Sequence, residues 1–186
     1  MSNYSSSAYR SSLFAIRGDL DGSKKAEAFI GLKQFIGFIV ENEEFLLPMT
    51  AMKEIIMLNR LTFVPGGPKF VDGVINLRGT ILPAICLRTM MGHDQCKPSP
   101  ANRIIITNHE SVMAGLIVDA ITYVISLNAA QIEASNVTNL GKGFDLLMGI
   151  SKRGNKVNGI LDIVKVFNAT DYRQRLSEEE IKDTGL

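Results

Sequence analysis

The feature that most limits what this chain can fold into is its rhythm. From residue 33 onward, short runs rich in Ile, Val, Leu and Phe alternate with polar breaks. K-Q-F-I-G-F-I-V is followed by E-N-E and then E-F-L-L-P; R-I-I-I-T by N-H-E-S and then V-M-A-G-L-I-V-D; L-L-M-G-I-S by K-R-G-N-K and then V-N-G-I-L-D-I. Each set reads as two strands joined by a tight turn, so the spacing predicts three hairpins. E-I-I-M-L and A-I-T-Y-V-I-S-L add further strands. Many short strands with little helix between them predict small antiparallel barrels or a sandwich.

The breaks complete this outline. Pro48 ends the first hairpin or sits on an edge. M-T-A-M-K reads as a short helical turn, and Pro65-Gly66-Gly67-Pro68 as a strong break. Residues 69 to 72 are expected to form one helical turn, 89 to 102 a loop, and 128 to 143 an irregular excursion. V-K-V-F-N starts a short helix. Residues 1 to 12 are Ser-rich and read as a tail, and part of 13 to 31 as a short helix. Ser177, with Glu180 three residues on, has the capping-box spacing for a terminal helix. The expected organisation is an extension over 1–30, a folded domain over 31–168 and a C-terminal helix or tail over 169–186.

An internal echo runs through this pattern. F-L-L-P-M-T-A-M-K-E-I-I (45 to 56) lies over A-G-L-I-V-D-A-I-T-Y-V-I (114 to 125) without gaps. Leu47 matches Leu116, Ala51 matches Ala120 and Ile56 matches Ile125. Together with the hairpin spacing, the echo predicts two similar barrels side by side.

Against this wealth of strand there is little chemistry. Basic and acidic residues number 20 and 19, for a net charge of +1, and Trp is absent. That excludes the basic face and the stacking platform of a nucleic-acid binder. A metal site needs three or four converging ligands. His93, Asp94 and Cys96 lie close in G-H-D-Q-C, but the only other cysteine, Cys86, sits in a strand and reads as a small core residue. No G-x-S-x-G elbow, phosphate loop or dinucleotide fingerprint occurs. Asp119 and Asp162 each end an apolar strand and read as strand-end caps. No leader pattern opens the chain, and the most apolar window, 112 to 127, is broken by Asp119 and alternates like strand. A soluble, intracellular binding module without cofactor, metal or membrane insertion is the expectation.

One charge stands out. In G-V-I-N-L-R-G-T-I-L-P (73 to 83), Asn76 and Arg78 interrupt what reads as a core strand. A guanidinium buried there costs several kcal/mol unless it is paired.

The same residues carry a family resemblance. F-V-P-G-G-P-K-F-V-D-G-V-I-N-L-R-G-T-I-L-P, with E-F-L-L-P-M-T-A-M-K-E-I-I before it and A-G-L-I-V-D-A-I-T-Y-V-I-S-L, I-E-A-S and G-I-L-D-I-V-K-V-F after it, resembles the CheW family of chemotaxis coupling proteins over roughly 33 to 168. The resemblance implies a mainly β fold of two five-stranded SH3-like barrels sharing an apolar core, with short helices. It implies no catalysis. The implied role is an adaptor between the cytoplasmic tip of a methyl-accepting chemoreceptor and the regulatory domain of a CheA-type histidine kinase, in receptor arrays at the membrane. The alternative is an adaptor of a pilus-motility or array-localisation system. In the family, the arginine matching Arg78 pairs with the glutamate matching Glu54 at the receptor-facing groove. The expectation is a bidentate, partly exposed pair, with Met52, Ile56, Val74 and Asn76 as further partner contacts. One departure is plain: I-C-L-R carries Cys86 where the family usually has Asp. A small enzyme using His93 or His109 and a free-standing ligand-binding barrel are the readings from other classes.

Overall fold

The computed structural model describes residues 31–59, 61–95, 98–134, 143–153 and 156–170. The elements below all lie in the compact unit Lys33–Leu186. They are β1 (Lys33–Val40), β2 (Glu43–Pro48), β3 (Met52–Met57), β4 (Val71–Leu77), β5 (Thr80–Cys86), α1 (Leu87–Met90), β6 (Arg103–His109), β7 (Val112–Val118), β8 (Ala120–Leu127), β9 (Ile132–Ala134), β10 (Leu147–Arg153) and β11 (Lys156–Leu161). A second helix, α2, is described over 163–170.

The strands form two sheets, ordered β8-β1-β2-β11-β10-β9 and β3-β6-β7-β5-β4. The predicted hairpins are β1/β2, β6/β7 and β10/β11, all antiparallel. One sheet has the five strands expected; the other gains a sixth, the three-residue β9. The outline differs from expectation in three places. Residues 69 and 70 form a turn and β4 begins at Val71, so there is no helical turn over 69–72. The segment expected to be loop from 89 begins inside α1. The segment from 128 opens with a short 3-10 turn, Ala129–Gln131, capped at both groups by Asn128 and Gln131, and then enters β9. A four-residue helix and a three-residue strand are too short to leave a periodic signal. The proposed tail at 1–12, the short helix at 13–31 and the Ser177 cap lie outside the described residues.

The apolar runs look continuous because several strands are buried on both faces. In β1, Ile36, Phe38 and Val40 enter one core cluster while Phe35 enters another. In β7, Leu116 and Val118 face the first cluster and Ile117 a third. The first cluster draws on both sheets and both helices, whereas the others each sit within one sheet's subdomain: Phe35, Leu46, Leu127 and Ile160 in one, Ile75, Leu82, Ile104 and Ile106 in the other. Each fully buried Leu, Ile or Phe contributes about 1.5–3 kcal/mol, so the shared cluster is what makes the two subdomains one body.

The sequence echo is a real repeat. β2 lies in the six-stranded sheet and the chain then crosses to β3 in the other; β7 lies in the five-stranded sheet and the chain crosses back to β8. The echoed residues occupy the same places in the pairing. Ile36 faces Val124 and Phe38 faces Ile121, with a register slip between them. Ile105 faces Ile55 and Thr107 faces Met52, again with a slip. Parallel pairing repeats as well: Leu46 faces Ile160, and Gly115 faces Ala84. So does the bulge after it. Gly149 faces Ile160 and Gly73 faces Ala84, each beside a register slip. A Cβ on either glycine would fall well inside contact distance of a backbone oxygen, that of Thr62 at Gly73 and of Glu133 at Gly149. Thr62 and Glu133 are themselves counterparts: a two-bond bridge from Thr62 to Val74 stands where β9 pairs with β10. Each half of the chain therefore divides after its first two strands: β1 and β2 join β8–β11 in one sheet, and β6 and β7 join β3–β5 in the other.

Candidate functional site

Arg78 is not in a strand. β4 ends at Leu77, β5 starts at Thr80, and Arg78 and Gly79 form the two-residue connection. Their φ values are 52° and 88°. Left-handed φ at both central residues is the requirement of a type I′ hairpin turn, whose twist matches the flanking strands. Asn76 sets the turn, its Oδ1 accepting a hydrogen bond from the Gly79 amide at 2.8 Å. The problem of a guanidinium buried in a core strand therefore does not arise: the Arg78 side chain is 81% exposed.

The expected pair is present. Arg78 Nη2 lies 3.0 Å from Glu54 Oε2. The contact runs through one nitrogen and one oxygen, where a bidentate fork was expected. Glu54 is in β3, the first strand of the five-stranded sheet, and Arg78 follows β4, the last. The pair thus spans the two edges of one sheet, like a clasp across the opening of the barrel. With Arg78 so exposed, its stabilising effect falls in the range of surface pairs, up to about 1 kcal/mol.

The other four candidates do not share one face. Val74 and Asn76 alternate with Ile75 and Leu77, which pack on the second subdomain's interior cluster, so they face outward. Asn76 is exposed and Val74 half-buried. Asn76 lies opposite Ile81, an exposed isoleucine. Ile56 is half-buried against that interior cluster, and Met52, beyond the register slip in β3, packs on the shared core. The surface around the pair is therefore Arg78, Glu54, Asn76, Val74 and Ile81. Ile81 was missed because a Leu/Ile run gives no sign of which member faces out near a turn.

Several other polar groups tie elements of the fold together. Asp119 ends β7 where the chain crosses between sheets. Its Oδ2 accepts from Arg88 Nε at 2.8 Å and from the Glu41 amide in the β1–β2 turn. Its backbone nitrogen donates to Ile39 at 2.9 Å, and its carbonyl accepts from Asn102. It thereby ties α1, the crossover and the first hairpin together, the cap read from sequence and more. Asp162 caps α2, its Oδ1 accepting from the amides of Val164 and Lys165. His93 Nδ1 lies 2.6 Å from Glu41 Oε2, and His109 tilts against Phe167 with ring centroids 5.9 Å apart. Among the described residues, no three His, Cys, Asp or Glu side chains converge as a metal site would require; Cys96 lies outside them. Cys86 is 1% exposed, the small core residue expected from sequence. The departure from the family's Asp is therefore internal.

No helix among the described residues is long and apolar enough to cross a membrane. Residues 34–171 match the family model of the CheW-like domain. The chain is 31% identical over 154 residues to Chemotaxis protein CheW of Helicobacter pylori, covering 83% of this chain and 93% of that protein. It is 32% identical over 155 residues to Chemotaxis protein CheW of Bacillus subtilis, covering 83% and 98%. Among solved structures, that of the scaffolding protein TtCheW from Thermoanaerobacter tengcongensis superposes with a TM-score of 0.66 at 31% identity, over 70% of this chain and 89% of that one. Two SH3-like subdomains, a shared core and a match spanning most of the chain lead to one conclusion: the chain belongs to the CheW family of chemotaxis adaptor proteins.

Proposed function

We propose that this adaptor couples the cytoplasmic tip of a methyl-accepting chemoreceptor to the regulatory domain of a CheA-type histidine kinase, without catalysis of its own, at membrane-associated receptor arrays. The module that does so is residues 31–168, with 1–30 and 169–186 as appendages. Its receptor-facing surface is the rim around Glu54 and Arg78, with Asn76 and Val74 beside them and Met52 and Ile56 setting the shape of β3 beneath.

The observation that carries this reading is the energetics of Arg78. Left-handed φ costs a non-glycine residue about 1–2 kcal/mol, and an exposed ion pair returns at most about 1 kcal/mol. Gly or Asn would serve the turn better. An arginine held there at a net cost supports a role outside the fold. A planar cation beside outward Val74 and Ile81 suits the side of a helical receptor tip, with its mixture of apolar and acidic positions.

The test is a reconstituted assay of receptor, CheA-type kinase and this protein. Receptor-dependent kinase activity is expected to require the protein and to be lost with Arg78→Glu while the protein stays folded. Kinase activity indifferent to the protein would end the proposal. His93→Ala with His109→Ala is expected to leave coupling intact, as befits a chain that does no chemistry. The alternative, an adaptor of a pilus-motility or array-localisation system, has thinner support: similarity to Protein PilI of Pseudomonas aeruginosa, 35% identical, covers 46% of this chain and 48% of that one.

A further inference from the structure

At the other end of β4 from Arg78, the segment after β3, the start of β4, the loop before β6 and the face of β7 enclose a pocket of about 330 Å³. Leu58, Leu61, Pro98 and Ile117 give it apolar walls, and Asp72 and Gln95, with Asn59, Ser99 and Asn102, give it polar ones. Gln95 Nε2 donates to Asp72 Oδ1 at 3.2 Å. Among the described residues, Asp72 forms no ion pair. A half-buried carboxylate with one neutral donor and no cation among the described residues is a costly arrangement. Burial pushes the Asp72 carboxyl above its usual range, and the hydrogen bond from Gln95 pulls it only part of the way back.

The fold does not demand this. The pairing that sets Gly73 against Ala84 sets Gly149 against Ile160, so the counterpart of Asp72 is Met148, an exposed apolar residue. The same bulge is built twice, once with a carboxylate and once without.

We propose that this pocket is a receptor for an arginine side chain of a partner protein, its methylenes against Leu58, Leu61 and Pro98 and its guanidinium on Asp72. The size fits one long side chain. Charge complementarity selects a cation. Arginine is favoured over lysine because its guanidinium is weakly hydrated and planar, suited to a half-apolar pocket in which Gln95 already occupies one side of the carboxylate. The contact lies about 20 Å along β4 from Arg78, at ~3.3 Å per residue, and is independent of the rim proposed above.

The experiment is an amide NMR titration of the full chain with Nα-acetyl-arginine methylamide, alongside the lysine and norleucine analogues. Saturable shifts are expected at Asp72, Gln95, Ser99 and Asn102 with the arginine probe, weaker ones with lysine and none with norleucine. Asp72→Asn is expected to weaken binding by about tenfold or more, the effect of losing a charge-assisted hydrogen bond. Asp72→Met, which installs the residue of the matching position, serves as a second variant. In the free protein at neutral pH the Asn variant is expected to melt no lower than the parent. A group whose folded pKa is raised contributes stability below its unfolded pKa and loses it as pH rises, so removing the charge removes that loss. Shifts unchanged in the variants, shifts shared by norleucine, or no saturable shift would each overturn the proposal. A lower melting temperature for Asp72→Asn would do the same, by showing the carboxylate already paired within the chain.

Discussion

The two subdomains share one pairing scheme and differ in what they hang on it. In the five-stranded sheet, Glu54 of β3 reaches across to Arg78 as an exposed clasp. The echo places Tyr123 of β8 where Glu54 stands, and Tyr123 turns its hydroxyl to Glu44 Oε2 at 3.0 Å, an oxygen that also accepts from Asn158 at 3.1 Å. Asn158 is buried and gives a second bond to the Glu44 carbonyl. One subdomain thus spends this position on a partly buried network within the fold, the other on a charge pair at the rim. The helix that follows the last strand of each sheet shows a second contrast. Asp162 caps α2, whereas the matching residue, Cys86, makes no side-chain cap on α1 and accepts only a 3.4 Å contact from Thr89 Oγ1. What recurs is steric: paired apolar faces, a register slip, a glycine under a backbone oxygen. What varies is polar. The frame is set by packing, and the polar positions are left to serve other ends.

The strongest way to break the repeat is through its glycines. Gly73→Ala and Gly149→Ala each force a Cβ onto a backbone oxygen, and each is expected to cost at least about 1–3 kcal/mol, as overpacking does. Gly73 has a φ of 149° and carries backbone strain besides, so its variant should be the worse of the two in chemical denaturation. Equal, negligible losses would mean the bulges are not the shared frame.

Next comes the buried network. Asn158→Ala leaves both acceptors of Glu44 short of a donor, and is expected to cost about 1–3 kcal/mol. Tyr123→Phe removes one bond that Asn158 partly covers, and should cost nearer 1 kcal/mol. If both variants melt with the parent, the contrast between an inward and an outward polar position collapses.

The helix caps sharpen the comparison at smaller scale. Asp162→Ala is expected to lower stability by about 0.5–2 kcal/mol, the range for a lost N-cap. Cys86→Ala has no cap to lose and gives up only a small buried thiol, so its effect should be the smaller. A larger loss at Cys86 would mean that its thiol matters more to packing than the carboxylate does to α2.

Much of this could be read in the sequence because strand and hairpin signals are local. A β-rich run, a polar pair and another β-rich run announce themselves, and β1/β2, β6/β7 and β10/β11 follow. The echo of 45–56 in 114–125 points to two similar barrels, and the strand pairing shows its residues in matching places. The crossing of the chain between sheets, from β2 to β3 and from β7 to β8, is not legible, since it depends on where a chain goes after a turn and not on the turn itself. The Glu54–Arg78 pair was found, but for a partly mistaken reason. Arg78 looked buried because its neighbours in sequence are apolar; in a type I′ turn those neighbours are in the strands and the turn residue is in water. The Asp72 pocket is invisible in the sequence, because its walls come from residues that share no sequence neighbourhood: Leu58 and Leu61, Asp72, Gln95 and Pro98, and Ile117.

The smallest expected effect on stability is the one that best separates scaffold from contact surface. Arg78→Asn exchanges a residue strained at φ 52° for one that tolerates left-handed backbone. It also removes an ion pair whose cation is 81% exposed. Asn keeps its Cβ but tolerates this backbone better, so the part of the roughly 1–2 kcal/mol cost that is relieved is comparable to the pair lost, up to about 1 kcal/mol. The variant is therefore expected to be as stable as the parent to within about 1 kcal/mol in urea denaturation. In the reconstituted kinase assay it should couple poorly, and a double-mutant cycle with Glu54→Ala should give an interaction energy well under 1 kcal/mol for folding. A clearly destabilised variant, or a large coupling energy for folding, would instead make the clasp a structural strut. A chain as stable and less active would show Arg78 to be kept for its partner, since the turn alone gives no reason to keep it.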